Sequence, residues 1–232
     1  MIVSFDAISN SERTKSIIEV DMNKGESITA NAGAMVYMSG NIDVDTKIRD
    51  GGFFAKLKVS TLGGQSLFVN EFTSNSDGGK LGLTGQPLGD IIKISISQEQ
   101  NFIVQSGSYI ASTDGVVLDT QWQRFKKGLF GSELFMLKLS GQGDIFLNAF
   151  GGIIRREILI GEKFILNNFH LVALNLDADY KVTKFGSLKS TLLGGEGFVM
   201  EINDPAVVYF QTKNKPQLVE FLGLNQKDGN SR

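Results

Sequence analysis

Ile91-Ile92-Lys93-Ile94-Ser95-Ile96 sets isoleucines at 92, 94 and 96 against Lys93 and Ser95. Successive side chains of a β-strand point to opposite faces, so this alternation predicts a strand with one face in a core and one in water. Ile42-Asp43-Val44-Asp45-Thr46 has the same period of two. Moving outward from Ile91, the pattern returns at a fixed distance. A shift of 62 residues brings Ile91-Ile92 onto Ile153-Ile154, Ile96 onto Ile158, Phe102-Ile103 onto Phe164-Ile165 and Ala111 onto Ala173. A shift of 74 brings Gly33 onto Gly107, Val36 onto Ile110, Val44 onto Leu118, and Asp45-Thr46 onto Asp119-Thr120.

A second block repeats in the same order. Gly64-Gln65-Ser66-Leu67-Phe68 matches Gly131-Ser132-Glu133-Leu134-Phe135 and Gly195-Glu196-Gly197-Phe198-Val199. Self-similarity at this spacing fixes architecture before any single element does. The expectation is an all-β chain with one compact domain over residues 1–214, built from three copies at about 24–97, 98–160 and 161–214. Each copy holds five to seven strands, enough for a small two-sheet sandwich. With no Pro- or Ser-rich linker between copies, they are expected to pack about a pseudo-threefold axis. Further strands are predicted at Leu67–Thr73, Phe102–Gln105, Val116–Thr120, Leu134–Leu139, Asp144–Phe150, Phe164–Asn167, Leu171–Leu174, Phe198–Ile202 and Val207–Thr212. The predicted helix is terminal: Pro216 suits a first turn, with Leu218, Val219 and Leu222 as its apolar stripe. Residues 215–232 are then a helix or tail.

Composition narrows the chemistry. The 232 residues include no cysteine, which excludes disulfides, thiolate metal sites and a cysteine nucleophile. A net charge of −2 gives no global attraction to nucleic acid or anionic lipid. The sequence has no basic, apolar leader at Met1–Asp6 and no apolar run of about 18 residues, so a cytoplasmic location is expected. The single histidine, His170, falls at the repeat position of Ala34 and Ser108. That reads as a side chain filling a local niche, and no G-x-S-x-G elbow accompanies it. Asp43 and Asp45 share a strand face, as do Asp177 and Asp179 if their segment is extended. Carboxylates two apart can hold a hard cation, but neither pair belongs to an EF-hand pattern. Gly141-Gln142-Gly143 leads from strand to strand and reads as a hairpin turn, offering no helix N-terminus to a phosphate. No catalytic residue, metal or cofactor is expected.

Gly33-Ala34-Met35-Val36-Tyr37-Met38, Leu62-Gly63-Gly64-Gln65-Ser66-Leu67-Phe68, Lys127-Gly128-Leu129-Phe130, Leu193-Gly194-Gly195-Glu196-Gly197-Phe198 and Val208-Tyr209-Phe210-Gln211-Thr212 resemble a known family. It is the altered-inheritance-of-mitochondria, or mitochondrial biogenesis, family of uncharacterised conserved proteins. The likeness runs from about Gly25 to Thr212. It implies a fold similar to the β sandwich of the tryptophan-responsive RNA-binding attenuation protein, in a pseudo-threefold arrangement. It implies no catalytic residues.

One feature remains that points to binding. Before each glycine block lies a segment mixing aromatics with lysines. The first holds Phe53, Phe54, Lys56 and Lys58. The second holds Trp122, Arg124, Phe125, Lys126, Lys127 and Phe130, and the third Phe185 and Lys189. In a pseudo-threefold fold these segments emerge at one end, as a basic and aromatic face. The expected function is therefore a non-enzymatic scaffold or interaction module. Its partner is a protein or a like subunit in a homo-oligomer, or a membrane surface. RNA or single-strand nucleic-acid binding and small-ligand binding are the alternatives.

Overall fold

The computed structural model describes residues 1–4, 17–47, 69–85, 88–125, 134–184, 198–203 and 205–223. The first strands are β1 (Ile2–Ser4), β2 (Ile18–Met22), β3 (Ser27–Asn31), β4 (Met35–Met38), β5 (Ile42–Lys47), β6 (Val69–Ser74) and β7 (Gly79–Leu83). Next come β8 (Ile91–Ile96), β9 (Phe102–Gln105), β10 (Tyr109–Thr113), β11 (Val116–Phe125), β12 (Leu134–Gly141) and β13 (Gly143–Asn148). The last are β14 (Ile153–Ile158), β15 (Lys163–Asn167), β16 (Leu171–Asn175), β17 (Tyr180–Lys184), β18 (Phe198–Asn203) and β19 (Ala206–Gln211), followed by the helix α1 (Lys215–Phe221). The all-β class predicted from alternation and glycine turns is what the chain adopts.

The described strands form four antiparallel sheets. The first has the order β1-β2-β7-β4 and the second β5-β6-β3-β10-β13-β8. The third runs β11-β12-β9-β16-β19-β14 and the fourth β15-β18-β17. Raising every strand number of the second sheet by six gives the third. The same rule turns β2-β7-β4 of the first sheet into β8-β13-β10, and β11-β12-β9 into β17-β18-β15.

Fine geometry follows the same numbering. Pairing of β4 with β7 slips between Met35 and Tyr37, a β-bulge at Val36. Pairing of β10 with β13 slips between Tyr109 and Ala111, and that of β16 with β19 between Leu171 and Ala173. A bulge inserts one residue and sharpens local twist, so it is a specified feature. The 3-10 turns Ser106–Ser108 and Asn168–His170 lead into β10 and β16 at matching places.

Burial explains why these strands form. One core joins the first two sheets through Ile18, Val20, Leu81, Ile28, Phe72 and Phe146. A second joins the second and third sheets through Ile94, Tyr109, Leu147, Val104 and Leu139. A third joins the third and fourth sheets through Ile103, Met136, Val208, Met200 and Ile202. The second and third sheets are thus covered on both faces. That is why β10 and β16 carry buried side chains at four consecutive positions instead of alternating.

Some expectations change in detail. β11 continues to Phe125, beyond the predicted Thr120. The segment of Asp177 and Asp179 is a turn after β16, so those carboxylates share no strand face. The helix begins at Lys215 with Pro216 in its first turn as predicted, but Leu222 is exposed; only Leu218 and Val219 are partly covered. Gly141 and Gly143 flank the turn from β12 to β13, with Gly141 at φ 101°. The two strands lie in different sheets, so the turn passes the chain between sheets and the expected hairpin is not formed. Gly64, Gly131 and Gly195 lie outside the described residues.

Candidate interaction surfaces

The basic and aromatic segments are placed by their flanking strands. Residues 48–68 connect β5 to β6, residues 126–133 connect β11 to β12, and residues 185–197 connect β17 to β18. In each case an edge strand is being joined to its hydrogen-bonded neighbour. Phe53, Phe54, Lys56, Lys58, Lys126, Lys127, Phe130, Phe185 and Lys189 lie outside the described residues. Trp122, Arg124 and Phe125 belong to the end of β11. There Arg124 stands opposite Phe135 and Phe125 opposite Leu134. The register of β11 against β12 shifts between Asp119 and Gln123, so Trp122 lies in the irregular stretch.

A different surface was not singled out for function in the sequence. β4 is an edge strand whose four residues, Met35, Val36, Tyr37 and Met38, are 40–53% exposed. Among the described residues only β7 pairs with it. Its counterparts six strands on are enclosed: Tyr109, Ile110, Ala111 and Ser112 are 1% exposed or less, and so are Leu171, Val172, Ala173 and Leu174. A ring on one of these exposed residues is nonetheless fixed. The Tyr37 hydroxyl donates to Glu19 Oε1 at 2.6 Å, which pushes the phenol above its ordinary pKa. The ring lies flat over Gly82, where a side chain would collide with it. The signal in the sequence was four apolar residues in a row, Met35 to Met38.

His170 is held on both sides of its ring. Its Nδ1 is 2.6 Å from the Gln211 carbonyl and its Nε2 is 2.7 Å from Asn214 Nδ2. A carbonyl only accepts and an amide NH2 only donates, so Nδ1 donates to Gln211 and Nε2 accepts from Asn214. Asn214 Oδ1 then accepts from the Gln217 amide and caps α1. Gln211 Nε2 donates to the Phe169 carbonyl, and Gln211 Oε1 accepts from the Phe150 amide. Every polar atom of the imidazole is spent on the junction between β16, β19 and α1. Asp43 and Asp45 lie exposed on β5. Among the described residues no three His, Asp or Glu side chains converge to hold a metal.

A cleft of about 320 Å³ opens between the β8 edge and the β14–β19 end of the third sheet. Lys93, Glu99, Asn101, Arg155, Asp177 and Tyr209 are among the residues that line it. Asn101 Oδ1 is buried without a hydrogen-bond partner among the described residues. No described helix is long and apolar enough to cross a membrane.

A family model described as mitochondrial biogenesis AIM24 matches residues 8–213. An uncharacterized protein of Streptococcus pyogenes serotype M6 is 27% identical over 213 residues, covering 89% of this chain and 85% of that one. The X-ray structure of a Streptococcus pyogenes protein from a structural genomics consortium superposes with a TM-score of 0.76. It is 25% identical, with 96% of this chain and 99% of that chain covered.

Proposed function

The chain belongs to the mitochondrial biogenesis AIM24 family, and from that premise we propose that it is a non-enzymatic cytoplasmic scaffold. It would engage a protein partner, a like subunit or a membrane surface through its basic and aromatic face. One observation carries the reading. The three basic-aromatic segments fall at corresponding places: the first and third in the connections β5 to β6 and β17 to β18, the second running from the end of β11 into the connection to β12. In this reading the chain is three copies of a six-strand unit in succession, with the junction of β15 to β4 left open, and the three connections share one end. Aromatic rings enter an interfacial layer while ammonium groups stay wet, which suits such a mixture to a lipid or protein surface. Trp122 and Arg124 are residue types that anchor interfaces.

The test is one variant with Trp122, Phe125, Lys126 and Lys127 all replaced by alanine. Affinity for anionic vesicles should fall on the order of tenfold or more, since each lysine near such a surface contributes about 1 kcal/mol. The melting temperature should stay near that of wild type. A large melting drop with unchanged association would retire the face. A parallel salt series with single-stranded RNA separates nucleic-acid binding, which must weaken steeply with salt.

The cleft below β8 favours a second reading, a small polar ligand. Its walls carry both charges, and the buried Asn101 carbonyl oxygen faces no donor among the described residues. Native mass spectrometry of the purified protein tests this, and a spectrum of bare chain alone counts against it.

A further inference from the structure

We propose that the outer edge of β4 is a docking site for β15 of a second copy of this chain, joined as an added antiparallel strand. The inference rests on reading the chain as repeats of six strands. Two such joins already exist inside the chain. β3 pairs with β10 through Ala30↔Ala111, Thr29↔Ser112 and Ile28↔Thr113. β9 pairs with β16 through Val104↔Ala173, Ile103↔Leu174 and Phe102↔Asn175. Each join fuses two three-strand halves into one six-stranded sheet.

Six strands further on, the corresponding pair is β15 and β4, and it is not made. Among the described residues β4 ends the first sheet and β15 ends the fourth. The two edges are therefore the complementary halves of a junction formed twice elsewhere. Moving the known register by the repeat spacing sets Tyr37 opposite Leu166, Met38 opposite Ile165 and Ser39 opposite Phe164.

The exposed atoms match this reading. The β4 residues are 40–53% exposed where the joined counterparts, β10 and β16, show 1% or less. On β15, Ile165 is 52% exposed while its joined counterpart Ile103 is fully buried. An apolar edge with open backbone groups is a template for another strand, and natural edges that stay free usually carry charge or proline. Met35-Val36-Tyr37-Met38 carries neither. A second copy is the occupant because the strand shaped for this edge is one this chain owns and leaves unjoined. The contact is heterologous, so it closes as a ring of copies or as a pair with both junctions made.

Light scattering on purified wild type should give at least twice the 25.3 kDa of one chain. Met38→Lys and Ile165→Lys, each at an exposed position of one edge, should each give single-chain mass with wild-type circular dichroism. Mixing the two variants should restore a one-to-one pair, because one still offers β15 and the other β4. In the cysteine-free background, Met38→Cys with Ile165→Cys in one chain should form disulfides between chains. Single-chain mass for wild type at hundreds of micromolar, unchanged mass for both lysine variants, or a disulfide formed only within a chain overturns the proposal. The vesicle variant at Trp122 leaves both edges intact, so it should keep the wild-type mass whether or not it loses vesicle binding.

Discussion

At the scale of single residues, His170 shows how a chemically versatile side chain is tied to structure. Its two nitrogens face the Gln211 carbonyl and the Asn214 amide, and Asn214 in turn caps α1. His170→Ala should destabilise the fold by about 1–3 kcal/mol, because it strips partners from part-buried polar groups. Asn214→Ala should cost about 1 kcal/mol through the lost cap. Urea melts of the two single variants and the double variant should show a combined loss smaller than the sum, since the residues act through one network. Equal and additive losses would separate histidine from cap. The structural role of His170 was legible because its repeat partners are Ala34 and Ser108, residues with no shared chemistry. Its partners were not legible, since Gln211 and Asn214 lie 41 and 44 residues downstream and only the β16–β19 pairing brings them close.

At the scale of elements, the fourth sheet is fastened by charge as well as by its core. Glu201 on β18 pairs with Lys163 on β15 at 2.6 Å and Lys181 on β17 at 3.0 Å. Lys163 first, then Lys181, holds the Glu201 carboxyl below its ordinary pKa. A group depressed in the folded state adds stability above the unfolded carboxylate pKa and loses it as pH falls through the folded value. Glu201→Gln should therefore be less stable than wild type at neutral pH, and the gap should close as the solution is acidified below the carboxylate range. Denaturant midpoints across that range measure it, and a gap independent of pH would sink the assignment. β8 was readable because one face meets water and the sequence alternates; β5 alternates as well, although of its two apolar residues Ile42 is buried and Val44 exposed. β4, β7 and β10 were not readable. β10 is buried on both faces, Gly79 and Gly82 interrupt β7, and β4 is apolar throughout. In each, the environment on the two faces removes the contrast that periodicity needs.

At the scale of the whole molecule, three cores alternate with four sheets, so the second and third sheets are inner layers. Amide exchange should be slowest in β9, β10, β13 and β16, and clearly faster in β1 and β17, which lie at sheet edges. Uniform protection across all four sheets, read by hydrogen exchange and mass spectrometry, contradicts this layering. The all-β class and the family were legible because glycine turns and alternating runs are local. The open junction was not, since an edge is defined by what fails to lie beside it. The strand order also sets a timetable for the growing polypeptide. β14 has one sheet partner, β19, which leaves the ribosome some fifty residues later, and β8 waits a similar time for β13. Non-local pairing of this kind folds slowly and leaves unpaired strands exposed meanwhile. A nascent chain halted before Ala206 would hold β14 with no strand to receive it, so the emergence of β19 decides whether the third sheet closes or the product enters quality control.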